Sequence, residues 1–200
     1  MGQDGLMEQL LDTPWVIIDD ALPTTILDAL REEALTEYRE GEFRAAQVGK
    51  GIEKQRIQEV RSDKVRWLER TEATLAQHAY WEMMDQLRMQ LSGFFRVHLE
   101  RVELHFAVYP IGAFYAPHLD QFREQSNRIF SVITYLNPDW KPGDGGELRI
   151  HLPQGDHLDI QPLHGRMICF RSDVVMHEVL EAHAPRISLT GWMRRDPLIY

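Results

Sequence analysis

Apolar residues along this chain follow two periods, helical up to about residue 98 and alternating beyond Leu99. Trp15 to Asp19 is a short apolar run that predicts a strand, and Leu22-Pro23-Thr24-Thr25 opens a predicted helix through about Tyr38. Ile26, Leu27, Leu30 and Ala34 share one side of that helix. A longer helix is predicted from about Glu72 to Phe94, where Tyr80, Met83, Met84, Leu87, Leu91 and Phe94 form a core-packing stripe. After Leu99, short runs separated by Gly, Pro and Asn predict an all-β sandwich or barrel. No internal repeat or low-complexity linker divides the 200 residues, so the expectation is a single domain, 1–200. Within it, a strand, helices and a mobile loop (about 1–98) would support a β core (about 99–195).

Composition narrows the function. The net charge of -9 and pI near 5.5 argue against a nucleic-acid partner, because phosphate contacts need a basic footprint. Between Arg44 and Arg70, however, eight Lys or Arg face four Asp or Glu. This locally basic stretch, with Gly49-Lys50-Gly51 and few apolar residues before Val60, reads as a long mobile lid or binding loop. The lone Cys169, inside Met167-Ile168-Cys169-Phe170, reads as a small buried hydrophobe. Neither a secretory leader, a myristoylation signal nor a run of membrane-spanning length is present, so no membrane association and a cytoplasmic location are expected.

Chemistry concentrates in the alternating half. In Pro117-His118-Leu119-Asp120 the residues at i and i+2 point to one side of an extended strand, so His118 and Asp120 can hold one ion while Leu119 faces away. His157-Leu158-Asp159 has the same spacing. It opens a short strand and lies only 20 positions from His177, against 59 for His118, so it is set aside as a surface pair. His177 interrupts the apolar run Asp173 to Val179 and is the expected third ligand. Two imidazoles and a carboxylate on one face of an iron leave positions open for a bidentate 2-oxo acid and for dioxygen.

Arg186 follows in Pro185-Arg186-Ile187-Ser188-Leu189-Thr190-Gly191-Trp192. Alternation puts Arg186, Ser188, Thr190 and Trp192 on one face, and Ile187, Leu189 and Met193 on the other. An inward guanidinium needs an anion, and its fork matches the distal carboxylate of 2-oxoglutarate, with Ser188 as a second donor. A structural Arg paired with Asp or Glu is the competing reading. Tyr109, on the face of Glu103 and His105, and Tyr135 carry phenols that could donate to the same carboxylates.

These residues resemble the prolyl 4-hydroxylase family of Fe(II)/2-oxoglutarate-dependent oxygenases, in particular bacterial relatives of the hypoxia-factor prolyl hydroxylases. The ordered match comprises Tyr109-Pro110, His118-x-Asp120, Tyr135-Leu136-Asn137, Asp139-Trp140, Gly145-Gly146-x-Leu148-Arg149-Ile150, Asp159-Ile160-x-Pro162, Ser172-Asp173, His177-Glu178-Val179, Arg186 and Trp192. Weaker similarity reaches Arg61-x-Asp63-Lys64 and Trp67. The resemblance implies a double-stranded β-helix (jelly roll), mostly β, with flanking N-terminal helices. It implies Fe(II) on His118, Asp120 and His177, and 2-oxoglutarate anchored by Arg186 near Tyr109 and Tyr135, with Ser188 and Thr190 beside it and Trp192 next to the metal. O2 would be the second cosubstrate and ascorbate a stimulant. It further implies that the loop ending at Trp67 closes over a peptide, with Arg61 in the loop and a salt bridge between Asp63 and Arg128. The run from Phe106 to Tyr115 is closest to bacterial members, a group that includes hydroxylases of a proline in elongation factor Tu, so a protein substrate hydroxylated at the trans-4 position is expected.

Two departures stand out. His105 occupies an inward position where the animal enzymes resemble a thioether residue, and the chain stops eight residues after Trp192, without their C-terminal helix. Hydroxylation of a free amino acid or other small molecule, and a non-catalytic binding or oxygen-sensing module, are the alternatives.

Overall fold

The computed structural model describes residues 3–46, 60–121 and 127–195. In chain order the elements are α1 (Gln3–Asp12), β1 (Trp15–Ile18), α2 (Thr24–Arg39), β2 (Arg44–Ala45), β3 (Lys64–Leu68), α3 (Leu75–Phe95), β4 (Arg101–Tyr109), β5 (Tyr115–His118), β6 (Arg128–Tyr135), β7 (Leu148–His151), β8 (His157–Ile160), β9 (Met167–Arg171), β10 (His177–Val179) and β11 (Arg186–Arg194). The strands form two antiparallel sheets, β1-β9-β6-β11-β4-β3-β2 and β5-β10-β7-β8. The result is mostly β, a jelly roll with helices on one flank.

Alternation along β11 sorts its side chains between two cores. Ile187, Leu189 and Met193 join Leu30 and Ala34 of α2, Tyr80, Met84 and Leu91 of α3, and Leu104 and Phe106 of β4 in the cluster between helices and major sheet. Each large apolar side chain buried there stabilises by roughly 1.5–3 kcal/mol. The opposite face of the major sheet gives Ala107, Tyr109, Ile133, Tyr135 and Phe170, which pack on Leu148, Ile150 and Val179 of the minor sheet. The site residues lie between the sheets.

Helix α3 starts where Thr74 accepts a hydrogen bond from the Gln77 amide at 3.2 Å, and it ends at Arg96 in the left-handed region, φ 51°. β4 runs so close to β11 that Gly191 has no room for a side chain: a Cβ there would lie 2.4 Å from Leu104 Cδ2 and 2.8 Å from the Glu103 carbonyl oxygen, with Met84 of α3 next at 3.6 Å. Asn137 latches the turn after β6, donating to the Pro162 and Ile187 carbonyls at 2.9 and 3.1 Å and accepting from the Ile187 amide at 2.7 Å.

Two differences from the sequence expectation concern the N-terminal half. Residues 3–12 form a helix that the pattern did not announce, its Met7 and Leu10 buried. The basic stretch is not a loop throughout: β3 occupies Lys64–Leu68 and pairs with β4 in register from Lys64↔Val108 to Leu68↔Leu104. Lys64, Arg66 and Glu69 masked that strand, because β3 lies next to last in its sheet and its polar residues stay at the surface. The expected loop also covers 47–59, outside the described residues.

Candidate active site

Strands β5 and β10 are neighbours, and their register places His177 directly opposite His118. Asp120 follows β5, its backbone held where the Gln121 amide donates to the Ser172 carbonyl at 3.1 Å. The ligand atoms of His118, Asp120 and His177 all fall within 4.8 Å of one another, a spacing that could hold one metal ion. Asp120 and His177 are buried and His118 is half-buried.

Each imidazole is set for coordination by its other nitrogen. His118 Nδ1 lies 2.8 Å from the Ala116 carbonyl and His177 Nδ1 lies 3.0 Å from that of Val175. A carbonyl only accepts, so each Nδ1 carries a proton, and Nε2 is the ring atom turned toward the Asp120 carboxylate. Those Nε2 atoms stand 3.5 and 3.9 Å from the Asp120 carboxylate. Burial raises the Asp120 pKa, but the His118 contact, the nearby imidazoles and the Ser131 hydroxyl outweigh it and hold the carboxyl well below its usual range. Burial lowers the His177 pKa to about 4, so the ring is neutral at pH 7.

Arg186, at the start of β11, is 2% exposed. Its Nε donates to the Gly146 carbonyl at 2.9 Å and its Nη1 to Ser188 Oγ at 3.1 Å. The guanidinium lies 4.7 Å from the Tyr109 ring centroid and 5.0 Å from that of Tyr135. Among the described residues no carboxylate lies within ion-pair distance of it. A buried cation without an anion is costly, so the site is built to receive one. The Tyr135 hydroxyl beside it is buried without a hydrogen-bond partner among the described residues. Burial raises the Tyr135 pKa and the Arg186 charge opposes that, without an aligned bond between them. Thr190 Oγ1 continues the polar row, 3.4 Å from Ser188 Oγ.

Trp192 closes the row at the metal-ligand end, where Arg128 lies over its ring at 3.6 Å and His105 stacks on it at 5.1 Å. Arg128 also donates to the Asp120 carbonyl oxygen at 3.4 Å. The expected Asp63–Arg128 ion pair is replaced by another: both Asp63 oxygens are taken by Arg61, at 2.7 and 2.5 Å. Sequence proximity explains the exchange, since Arg61 and Asp63 are two apart on one extended segment and face the same way. That segment is tied to β5, with Ala116 donating to the Val60 carbonyl at 2.7 Å. The decoy pair stays outside the site: His157 is exposed on edge strand β8, and Asp159 is held by Arg149 through two 2.7 Å bonds.

Three contributors went unread in the sequence. Ser131 on β6 donates to Asp120 Oδ2 at 2.6 Å and in turn accepts from Ser172. Tyr115 stacks on His118 with ring centroids 3.5 Å apart, and Arg61 covers its other environment at 4.2 Å. The Gly146 carbonyl orients Arg186. Gly-Gly and isolated serines announce none of these roles, although Ser131 does share the inward period of Ile133 and Tyr135.

Comparison with known proteins agrees with this geometry. A model of the 2OG-Fe(II) oxygenase superfamily matches residues 104–194. A Pseudomonas putida prolyl-4-hydroxylase superposes with a TM-score of 0.87 at 37% identity, covering 97% of this chain and 99% of that one. A Trichoplax adhaerens prolyl hydroxylase, solved with a peptide of the hypoxia inducible factor oxygen degradation domain, gives 0.85 at 25% identity, covering 96% and 88%. A viral collagen prolyl hydroxylase from Paramecium Bursaria Chlorella virus-1, at 16% identity and a TM-score of 0.65 over 92% of this chain and 97% of that one, shares the fold. This chain therefore belongs to the prolyl 4-hydroxylase family of Fe(II)- and 2-oxoglutarate-dependent oxygenases.

Proposed function

We propose that His118, Asp120 and His177 hold Fe(II), that Arg186 binds the distal carboxylate of 2-oxoglutarate, and that the site hydroxylates a prolyl residue of a protein at the trans-4 position. The observation that carries the reading is the buried Arg186 guanidinium, unaccompanied by any described carboxylate, on the inner face of the major sheet, the face from which Ser131 reaches Asp120. The residues fit the group: two imidazoles with Nε2 turned to the cluster, one carboxylate, and, among the described residues, a cation without a carboxylate and a Tyr135 hydroxyl without a hydrogen-bond partner. Tyr109, Ser188 and Thr190 flank the same space, and Trp192 bounds it beside the ligands.

When bound, Fe(II) and 2-oxoglutarate supply the redox chemistry, in which O2 gives one oxygen atom to the prolyl C–H bond and the other to succinate, with release of CO2. The chain's own task is positional. The Ala116 and Val175 carbonyls fix both rings, and Ser131 fixes the carboxylate. Tyr115 stacks on His118, and Arg128, which lies over Trp192, donates to the Asp120 carbonyl. Asp120 stays anionic across the physiological range, so the three-ligand set persists.

A polypeptide substrate is supported by the locally basic stretch between Arg44 and Arg70 and by the anchoring of its end, Arg61 and Asp63, onto the strand that carries His118. The Trichoplax relative was solved with a peptide. Elongation factor Tu is the protein target that the resemblance to bacterial members suggests, and ascorbate the reductant that would sustain turnover. The test is succinate-coupled turnover with elongation factor Tu, proline-containing peptides and free proline. Turnover of the protein or peptides is expected, and turnover of free proline alone would transfer the reading to a small-molecule hydroxylase.

A further inference from the structure

His105 is 3% exposed on the inner face of β4, and its Nδ1 is buried with no hydrogen-bond partner among the described residues. A ring nitrogen so placed carries a desolvation penalty that no described residue repays. Packing alone does not call for nitrogen here, because the ring's contacts are aromatic: Trp192 stacked at 5.1 Å and Trp67 at 5.0 Å. An unpaired imidazole in such a stack marks a place where a ligand atom completes the bond.

Register locates that place. On the inner face, Arg186 pairs with Tyr109, Ser188 with Ala107 and Tyr135, Thr190 with His105 and Ile133, and Trp192 with Ser131. Successive rungs are about 6.8 Å apart. The Arg186 guanidinium reaches forward to the Ser188 rung, where its Nη1 donates. Asp120 hangs over the Trp192 rung through Ser131. Along the strand direction, the rung of His105, Thr190 and Ile133 therefore lies between the carboxylate anchor and the ligand cluster. Arg61 and Arg128 bear on His105 electrostatically, and the Asp120 carboxylate opposes them.

We propose that His105 is a cosubstrate-positioning residue whose ring N–H donates a hydrogen bond to the metal-proximal carboxylate of 2-oxoglutarate. This rests on the reading of Arg186 as the distal anchor. Burial and the two guanidinium groups keep the ring neutral, its pKa lowered to about 3, so one nitrogen carries a proton for donation and the other is an acceptor. Neutrality also spares the site a further charge that would have to be neutralised whenever the cosubstrate is away.

The test is anaerobic calorimetric binding to the Mn(II)-loaded protein of 2-oxoglutarate and, by competition, of 4-oxopentanoate, which replaces the metal-proximal carboxylate by a methyl group. His105→Phe keeps the stack on Trp192 and removes the N–H. It is expected to weaken 2-oxoglutarate by roughly tenfold or more, since bonds to charged groups exceed ordinary ones, and to leave 4-oxopentanoate unchanged. His105→Gln, which restores a donor, is expected to recover most of the loss. Equal weakening of both ligands, or no weakening of either, overturns the assignment. Absence of metal-dependent 2-oxoglutarate binding in the unmodified protein would instead overturn the Arg186 reading beneath it. Thermal melting of both variants without ligand serves as the folding check, and if His105→Phe melts well below the unmodified protein, the Gln comparison against 4-oxopentanoate decides alone.

Discussion

Replacing Arg186 by Met separates a binding cation from a structural one. The substitution keeps most of the stem volume but removes the bonds to the Gly146 carbonyl at 2.9 Å and to Ser188 at 3.1 Å. Leaving that carbonyl short of a donor costs about 1–3 kcal/mol. Removing a buried charge that has no carboxylate partner returns a similar amount, so the ligand-free protein should change by no more than about 1 kcal/mol. For a chain of this size that is roughly 2–4 °C in Tm. Binding responds differently, because truncating one side of a buried charge pair costs about 2–5 kcal/mol, a loss of roughly 30-fold to several thousand-fold. With 2-oxoglutarate at about a hundred times its Kd, the unmodified protein gains ~2.7 kcal/mol and melts some 5–10 °C higher. At the same concentration Arg186→Met should gain less than about 1 kcal/mol. Differential scanning fluorimetry with and without 2-oxoglutarate reads both quantities. A variant that keeps the full ligand shift, or one that already melts more than about 10 °C lower without ligand, would refute the reasoning.

Three further outcomes follow from named contacts. Ser131→Ala removes the 2.6 Å bond to Asp120 Oδ2, and loss of such a supporting bond should weaken Fe(II) or Mn(II) binding by about 10–100-fold with little change in the fold, measurable by metal titration. Gly191→Ala must displace Leu104 or the Glu103 backbone, so urea unfolding should report a loss of roughly 1–3 kcal/mol; an unchanged midpoint would mean that α3 and β4 give way freely. The third outcome concerns acid. His105 and His177 have native pKa values lowered to about 3 and about 4, against 6.5 unfolded, so the unfolded chain takes up protons first as pH falls. Their contribution is therefore full above pH 6.5 and is lost on acidification toward pH 4, by up to ~1.4 kcal/mol per pH unit for each ring. His105→Phe should reduce that slope by about one proton in metal-free urea titrations between pH 7 and 5, and an unaltered slope would contradict the burial argument.

How much of this was legible depended on whether a signal was local. The stripe from Tyr80 to Leu91 and the alternation of Arg186 to Met193 are local, and both fold as read, with Thr74 and Arg96 setting the limits of the helix; Phe94, read as part of that stripe, is instead exposed in the last turn. His118, Asp120 and His177 could be nominated from spacing, and the decoy His157 dismissed, but their approach depends on β5 and β10 being neighbours. Helix 3–12 gave little signal because, among its described side chains, only Met7 and Leu10 are buried, and β3 was hidden by surface charges. Ser131, Tyr115 and the Gly146 carbonyl act only through partners distant in sequence, Asp120, His118 and Arg186, so no motif could announce them. The pairing of Asp63 with Arg61 differs, because their i, i+2 spacing is local, whereas the expected Arg128 partner came from the family resemblance.

The central claim is that one cluster, His118, Asp120 and His177, uses Fe(II) and 2-oxoglutarate to place an oxygen atom on a protein proline. Its most direct test is mass spectrometry of elongation factor Tu and total host-cell protein incubated with the enzyme, Fe(II), 2-oxoglutarate and isotopically labelled O2. The account predicts prolyl residues that carry one labelled oxygen, formed with matching succinate and absent when Asp120→Ala replaces the unmodified enzyme. Labelled product formed equally well by Asp120→Ala, or succinate formed with no labelled proline in any protein, would contradict it.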